Sequence, residues 1–94
     1  MKCIYKCRFY GNCPTDDELI TYDFELESDV VVSVEFIIEC LDYFTSTARQ
    51  KKNLFQEEIT KGFYDKVNLE NRFGTYKVTT KGIHNNIEIV CVCE

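Results

Sequence analysis

From Lys2 to Tyr10 the chain alternates. Cys3, Tyr5, Cys7 and Phe9 fall on one side of an extended backbone, and Lys2, Lys6 and Arg8 on the other. A period of two is the signature of a strand with one buried face. The stretch GNCPTDD then gathers turn formers, which predicts a loop. A second alternating run follows, with Ile20, Tyr22, Phe24 and Leu26 opposed to Thr21, Asp23, Glu25 and Glu27. Pairing the runs as an antiparallel hairpin with Phe9 opposite Ile20 sets Lys6 across from Asp23 and Lys2 from Glu27. Each such pair contributes roughly 0.2–1 kcal/mol.

Near Ser33 the period changes. Ile37, Cys40, Leu41, Phe44 and Ala48 recur at helical spacing, widened by Phe36 and Tyr43, and Arg49, Lys51 and Lys52 suit the negative end of a helix. A shorter helix is predicted after Asn53, which serves as N-cap with Gln56 three residues on. Its apolar side is Phe55, Ile59 and Phe63, and Glu57 is expected to pair with Lys61 on the wet side. Two strands close the pattern, Phe73 to Lys81 and Ile87 to Cys93, around the turn formers Asn85 and Asn86. The final IEIVCVC is apolar on both faces apart from Glu88, which predicts a strand in the middle of a sheet. The order ββααββ predicts an α+β, two-layer fold over residues 1–94 as a single compact domain. A mainly antiparallel four-stranded sheet would carry two helices on one face.

Composition agrees with a packed core, since six Tyr and seven Phe stand among the 45% apolar residues. With no apolar run after the first lysine and none of about 18 residues anywhere, neither signal peptide nor membrane span is expected. That places the chain in the cytoplasm, with its six cysteines reduced.

No phosphate-binding or dinucleotide motif is present, and the sequence is read as non-enzymatic, with no catalytic residue and no cofactor. His84, the only histidine, lies in the last hairpin turn, roughly 23 Å along a strand from Cys91. It is read as an exposed turn residue. Cys3 and Cys7 share one strand face, as do Cys91 and Cys93. If the terminal strands were neighbours, these four thiols could bind zinc, giving a small zinc-binding or thiol-dependent protein as the alternative. Packing as small hydrophobes is the plainer reading. Cys40 belongs to the core, and Cys13 is the thiol expected to be exposed.

Charge is unevenly placed. No Lys or Arg stands between Arg8 and Arg49, a block that holds ten acids. The first hairpin neutralises some of them, leaving Asp16, Asp17, Glu18, Asp29, Glu35, Glu39 and Asp42 as candidate partner-binding residues. Net charge is −5, which disfavours direct nucleic-acid binding. The expectation is an acidic interaction module that docks on a basic protein surface, such as that of a nucleic-acid-binding protein. Its particular form is a phage or mobile-element inhibitor that imitates nucleic acid before a restriction or CRISPR nuclease. An unpaired edge strand would allow a homodimer.

Overall fold

The computed structural model describes residues 1–13, 15–50 and 55–94. Its elements are β1 (Cys3–Asn12), β2 (Leu19–Ser28), α1 (Val34–Gln50), α2 (Gln56–Glu70), β3 (Tyr76–His84) and β4 (Ile87–Cys93). The predicted order ββααββ is the observed one. All four strands join one antiparallel sheet in the order β1-β2-β3-β4.

The strand faces are those the alternation predicts, but the first hairpin is shifted by two residues. Phe9 faces Tyr22, not Ile20, so Lys6 opposes Glu25 and Arg8 opposes Asp23. A slip of two keeps every side chain on its own face and keeps base against acid, whereas Phe9 and Tyr22 gain a stacked pair with centroids 4.9 Å apart. The resulting ion pairs Lys6–Glu25, Arg8–Asp23 and Lys2–Glu27 are exposed and stabilise the sheet only slightly.

Buried Phe9, Tyr22, Phe24, Leu26, Tyr76 and Val78 from the strands share one apolar cluster with Ile37, Cys40 and Phe44 of α1 and Ile59, Phe63 and Val67 of α2. Phe63 rests on Phe24 at 4.5 Å. Tyr43, expected to widen the buried stripe, is exposed instead, edge-on to Phe44 and under the Lys66 ammonium. Ser33 caps α1 through its hydroxyl, which accepts from the Phe36 N–H and donates to Glu35.

The second helix begins later than predicted. Asn53, with Lys51 and Lys52, lies outside the described residues, and the N-cap is Phe55. A phenyl ring accepts no hydrogen bond, so only half a capping box forms: the Phe55 N–H donates to Glu58 at 3.0 Å. Lys61 reaches Asp65 at 2.6 Å, not Glu57 as expected.

Two corrections concern the last strands. β3 starts at Tyr76, and Phe73 is an exposed turn residue. β4 is not central but lies at the sheet's edge, so Ile87, Ile89, Val90 and Val92 remain 40–64% exposed. The turn before it behaves as predicted, with Asn85 and Asn86 at φ 52° and 65°.

No described helix is long and apolar enough to cross a membrane.

Candidate active site

Because β2 pairs with β3, the two hairpins lie side by side with their tips at the same end of the sheet. Tyr22 faces Gly82, and just beyond that pair the chain reaches the β1–β2 loop on one side and His84 on the other. The loop closes on its own backbone. The Cys13 N–H donates to the Glu18 carbonyl, the Asp17 N–H donates to the Cys13 carbonyl, and Asn12 donates its amide to the Asp17 carbonyl. Asp17 takes φ 59°, a value that Asp tolerates. These bonds curl the loop inward and bury Cys13, which is only 6% exposed. The expectation of an exposed thiol at Cys13 is thereby corrected.

The loop's acids converge on the opposite tip. Asp16 Oδ2 lies 2.9 Å from His84 Nε2, and Glu18 Oε2 lies 3.1 Å from the same nitrogen. Asp16 Oδ1 accepts the Glu18 N–H at 3.0 Å. That backbone donor holds the Asp16 carboxyl below its usual range, helped by hydrogen bonds from the Cys13 thiol and His84. One ligand atom each from Cys13, Asp16 and His84 therefore falls within 4.8 Å of the other two. His84, read as a solvent-facing turn residue, is instead the far wall of a thiol–carboxylate–imidazole cluster. Thiolate, carboxylate and imidazole are each metal-ligand types, so these three groups are the ones that could hold an ion here.

Beside the cluster lies a cavity of about 340 Å³, large enough for a small ligand. Its lining adds Tyr22, Phe55, Gln56, Glu57 and Ile89, so the first turn of α2 faces it. Burial pushes the Tyr22 hydroxyl up to about 12, with the charges of Cys13, Glu57 and Cys91 adding to the effect. Gln56 is fixed by its amide nitrogen, which donates to the Thr80 carbonyl and hydroxyl and to the Ile89 carbonyl, each at 3.0 Å. Thr60 spends its only proton on the Gln56 carbonyl, so Thr80 must be the donor in the 2.6 Å Thr60–Thr80 contact. With the nitrogen committed, the Gln56 side-chain oxygen is the end left to meet a ligand. Glu57, released from the expected pair with Lys61, stands exposed on the same wall.

A larger hollow of about 530 Å³ lies among Lys6, Arg8, Asp23, Glu25 and Lys81 on the sheet's other face. Lys6 pairs there with Glu25 and Arg8 with Asp23, and none of the cluster's three groups lines it.

The acids expected to bind a partner are scattered. Asp16 and Glu18 hold His84, while Asp17 belongs to the loop's backbone turn. Asp29 accepts the Thr75 N–H at the opposite end of the sheet. Glu35 is engaged with Ser33, and Glu39 and Asp42 are exposed along α1. The alternative zinc set does not assemble within one chain. Cys7, Phe24, Thr80 and Cys91 form one row across the sheet, so Cys3 and Cys7 are three strand spacings, about 14 Å, from Cys91 and Cys93.

No family model and no curated protein sequence matches the chain. Among solved structures, the archaeosine synthase QueF-Like in its apo form superposes with a TM-score of 0.77, covering 98% of this chain and 90% of that one at 19% identity. The likeness establishes the fold, and it overturns the expected non-enzymatic inhibitor and nucleic-acid mimic. The scaffold is one on which an enzyme is built, and two of the acids assigned to mimicry, Asp16 and Glu18, hold a histidine instead. The exclusion of nucleic acid, which rested on net charge, is withdrawn with it.

Proposed function

We propose that this chain is a thiol-dependent enzyme acting on a small planar heterocycle, with Cys13 as nucleophile. The observation that carries the reading is the convergence of Cys13, Asp16 and His84 at the mouth of a cavity. A thiol becomes a strong nucleophile when a base in hydrogen-bond reach takes its proton and a third group orients that base. Here Asp16 accepts from the thiol and is itself held by His84 and the Glu18 N–H. Addition to an electrophilic carbon forms a sulfur–carbon bond. The displaced π pair moves to that carbon's heteroatom, which takes up the thiol proton by way of Asp16. Phe55 and Tyr22 line the cavity with aromatic carbon suited to a flat substrate, and the Gln56 oxygen and Glu57 carboxylate accept its N–H groups. The fold shared with an archaeosine synthase supports a substrate of that class. The reading takes α1 and α2 as one layer over a single sheet face, consistent with their common apolar cluster.

The test is incubation with bases and nucleosides related to archaeosine, followed by intact-mass analysis and peptide mapping. A covalent adduct on Cys13, lost in Cys13→Ala, is expected. An unchanged adduct in Cys13→Ala would refute the assignment, as would one equivalent of zinc bound through Cys13 in purified protein.

A further inference from the structure

We propose that Cys13, Asp16, Glu18 and His84 form a four-donor site for a thiophilic divalent cation of the zinc class, and that this ion and a substrate adduct exclude one another at the Cys13 sulfur. The Cys13 Sγ, one carboxylate oxygen of Asp16 and one ring nitrogen of His84 already lie within 4.8 Å of one another. A fourth donor is at hand. Glu18 Oε2 stands 3.1 Å from His84 Nε2, the same nitrogen that meets Asp16 at 2.9 Å. Donor atoms around a tetrahedral zinc stand about 3.3–3.6 Å apart, given bonds of about 2.0–2.3 Å. Seating an ion therefore opens the two carboxylate–imidazole contacts slightly and draws the sulfur inward. The Asp16 and Glu18 side chains are 42% and 56% exposed, which leaves them room to adjust. The cavity gives the ion a path, because Cys13, Asp16 and His84 all line it.

Charge favours a cation here. One thiolate and two carboxylates outweigh the two positive charges of the ion. No lysine or arginine lines the cavity, and the sequence holds none between Arg8 and Arg49. Nothing cationic on this loop repels an ion or claims its acids. The reaction proposed above sets one of these carboxylates against the thiol, whereas coordination uses both. Thiolate and imidazole select zinc, cadmium or cobalt(II) over magnesium and calcium, which prefer oxygen alone. Binding releases the Cys13 thiol proton to water, and His84 offers its Nε2 lone pair with the remaining ring proton on Nδ1. Nothing is oxidised or reduced. Four protein donors close the coordination shell and leave no position for a substrate. A sulfur whose electron pair is held by the ion does not add to carbon. That exclusion rests on the reading of Cys13 as nucleophile; the site itself does not.

The test begins with the chain stripped of metal by a chelator. Zinc titrated against a chromophoric competitor should bind at one equivalent. Cobalt(II) should give the near-ultraviolet charge-transfer band of a thiolate ligand. A lost second-shell partner costs ~10–100-fold in affinity, so Cys13→Ser and His84→Gln, each removing a ligand, should weaken zinc by more than about 100-fold. Cys7→Ser, at an exposed thiol on β1, should leave binding unchanged. Magnesium in excess should not compete. Saturating zinc should abolish the Cys13 adduct, and chelator should restore it. The two readings fail separately. Adduct formation without zinc binding would overturn this inference alone, and a titration lost in both variants would uphold the site even where no adduct forms. Zinc or cobalt binding unmoved in folded Cys13→Ser would overturn the site, and an adduct that forms at full rate under saturating zinc would overturn the exclusion.

Discussion

His84 and Asp16 meet at 2.9 Å although sixty-eight residues separate them in the chain. The contact joins the tip of the C-terminal hairpin to the tip of the N-terminal one, and it orients the carboxylate that the Cys13 thiol faces. His84→Ala is expected to lower the rate of Cys13 adduct formation by ~10²–10⁴. Melting temperature should change little, because His84 is partly exposed. Equal rates in the variant and the parent, measured by stopped mass spectrometry, would remove His84 from the mechanism.

Asp16 also makes a prediction about pH. The Glu18 N–H, then Cys13 and His84, hold its carboxyl below the ordinary 3.8. A group depressed in the folded state stabilises the fold above its unfolded value and loses that contribution as pH falls through the folded one. Asp16→Asn should therefore lower the urea midpoint at pH 7, and the gap from the parent should close as pH falls below 3.8 and through the depressed folded-state value. A gap that persists unchanged into acid would mean that Asp16 acts by shape alone.

Gly82 is where the sheet meets the ring of Tyr22. A Cβ there would come 2.8 Å from two carbons of that ring and 3.1 Å from the Gln56 side-chain oxygen. Tyr22 cannot yield easily, being buried and stacked on Phe9. Gly82→Ala should cost ~1–3 kcal/mol in chemical unfolding, and it should also weaken ligand binding in the cavity. Stability equal to the parent would show that Tyr22 has room to move.

Thr80 is fully buried and gives its hydroxyl to Thr60 while accepting from Gln56. Thr80→Val keeps the shape and removes both bonds, which should cost about 1–3 kcal/mol. The amide of Gln56 should also become mobile, visible as a change in its side-chain NMR signals. If those signals stay put, the two backbone carbonyls alone hold Gln56.

Tyr5 donates nothing to the site, but its hydroxyl accepts the Val32 N–H at 2.9 Å and so ties β1 to the approach of α1. Tyr5→Phe is expected to lower stability by about 0.5–1.5 kcal/mol, with no effect on the chemistry of Cys13.

The strand faces and the first helix stripe were legible because burial imposes a period on the side chains. Register was not, since Lys6 finds an acid at either Asp23 or Glu25 and only the Phe9–Tyr22 stack distinguishes them. The place of β4 differs from the expectation for a physical reason: IEIVCVC has the composition of an interior strand, and composition does not reveal how many strands the fold sets beside it. The site escaped because Cys13 and His84 were weighed against partners near them in the chain. The usable signal was topological. Two hairpins joined through β2 and β3 bring both turns to one end, which sets CPTDDE beside IHNN. Glu57 was hidden by an assumed partner, Lys61, that prefers Asp65.

The cluster's composite origin also bears on how the protein comes into being. A ribosome emits Cys13, Asp16 and Glu18 together, but His84 joins them only after the asparagine bend has emerged and the central strand pair has zipped. On the proposed role of Cys13, the thiol gains its fully oriented carboxylate only at that point, and adduct formation at that sulfur would be a gauge of completed folding.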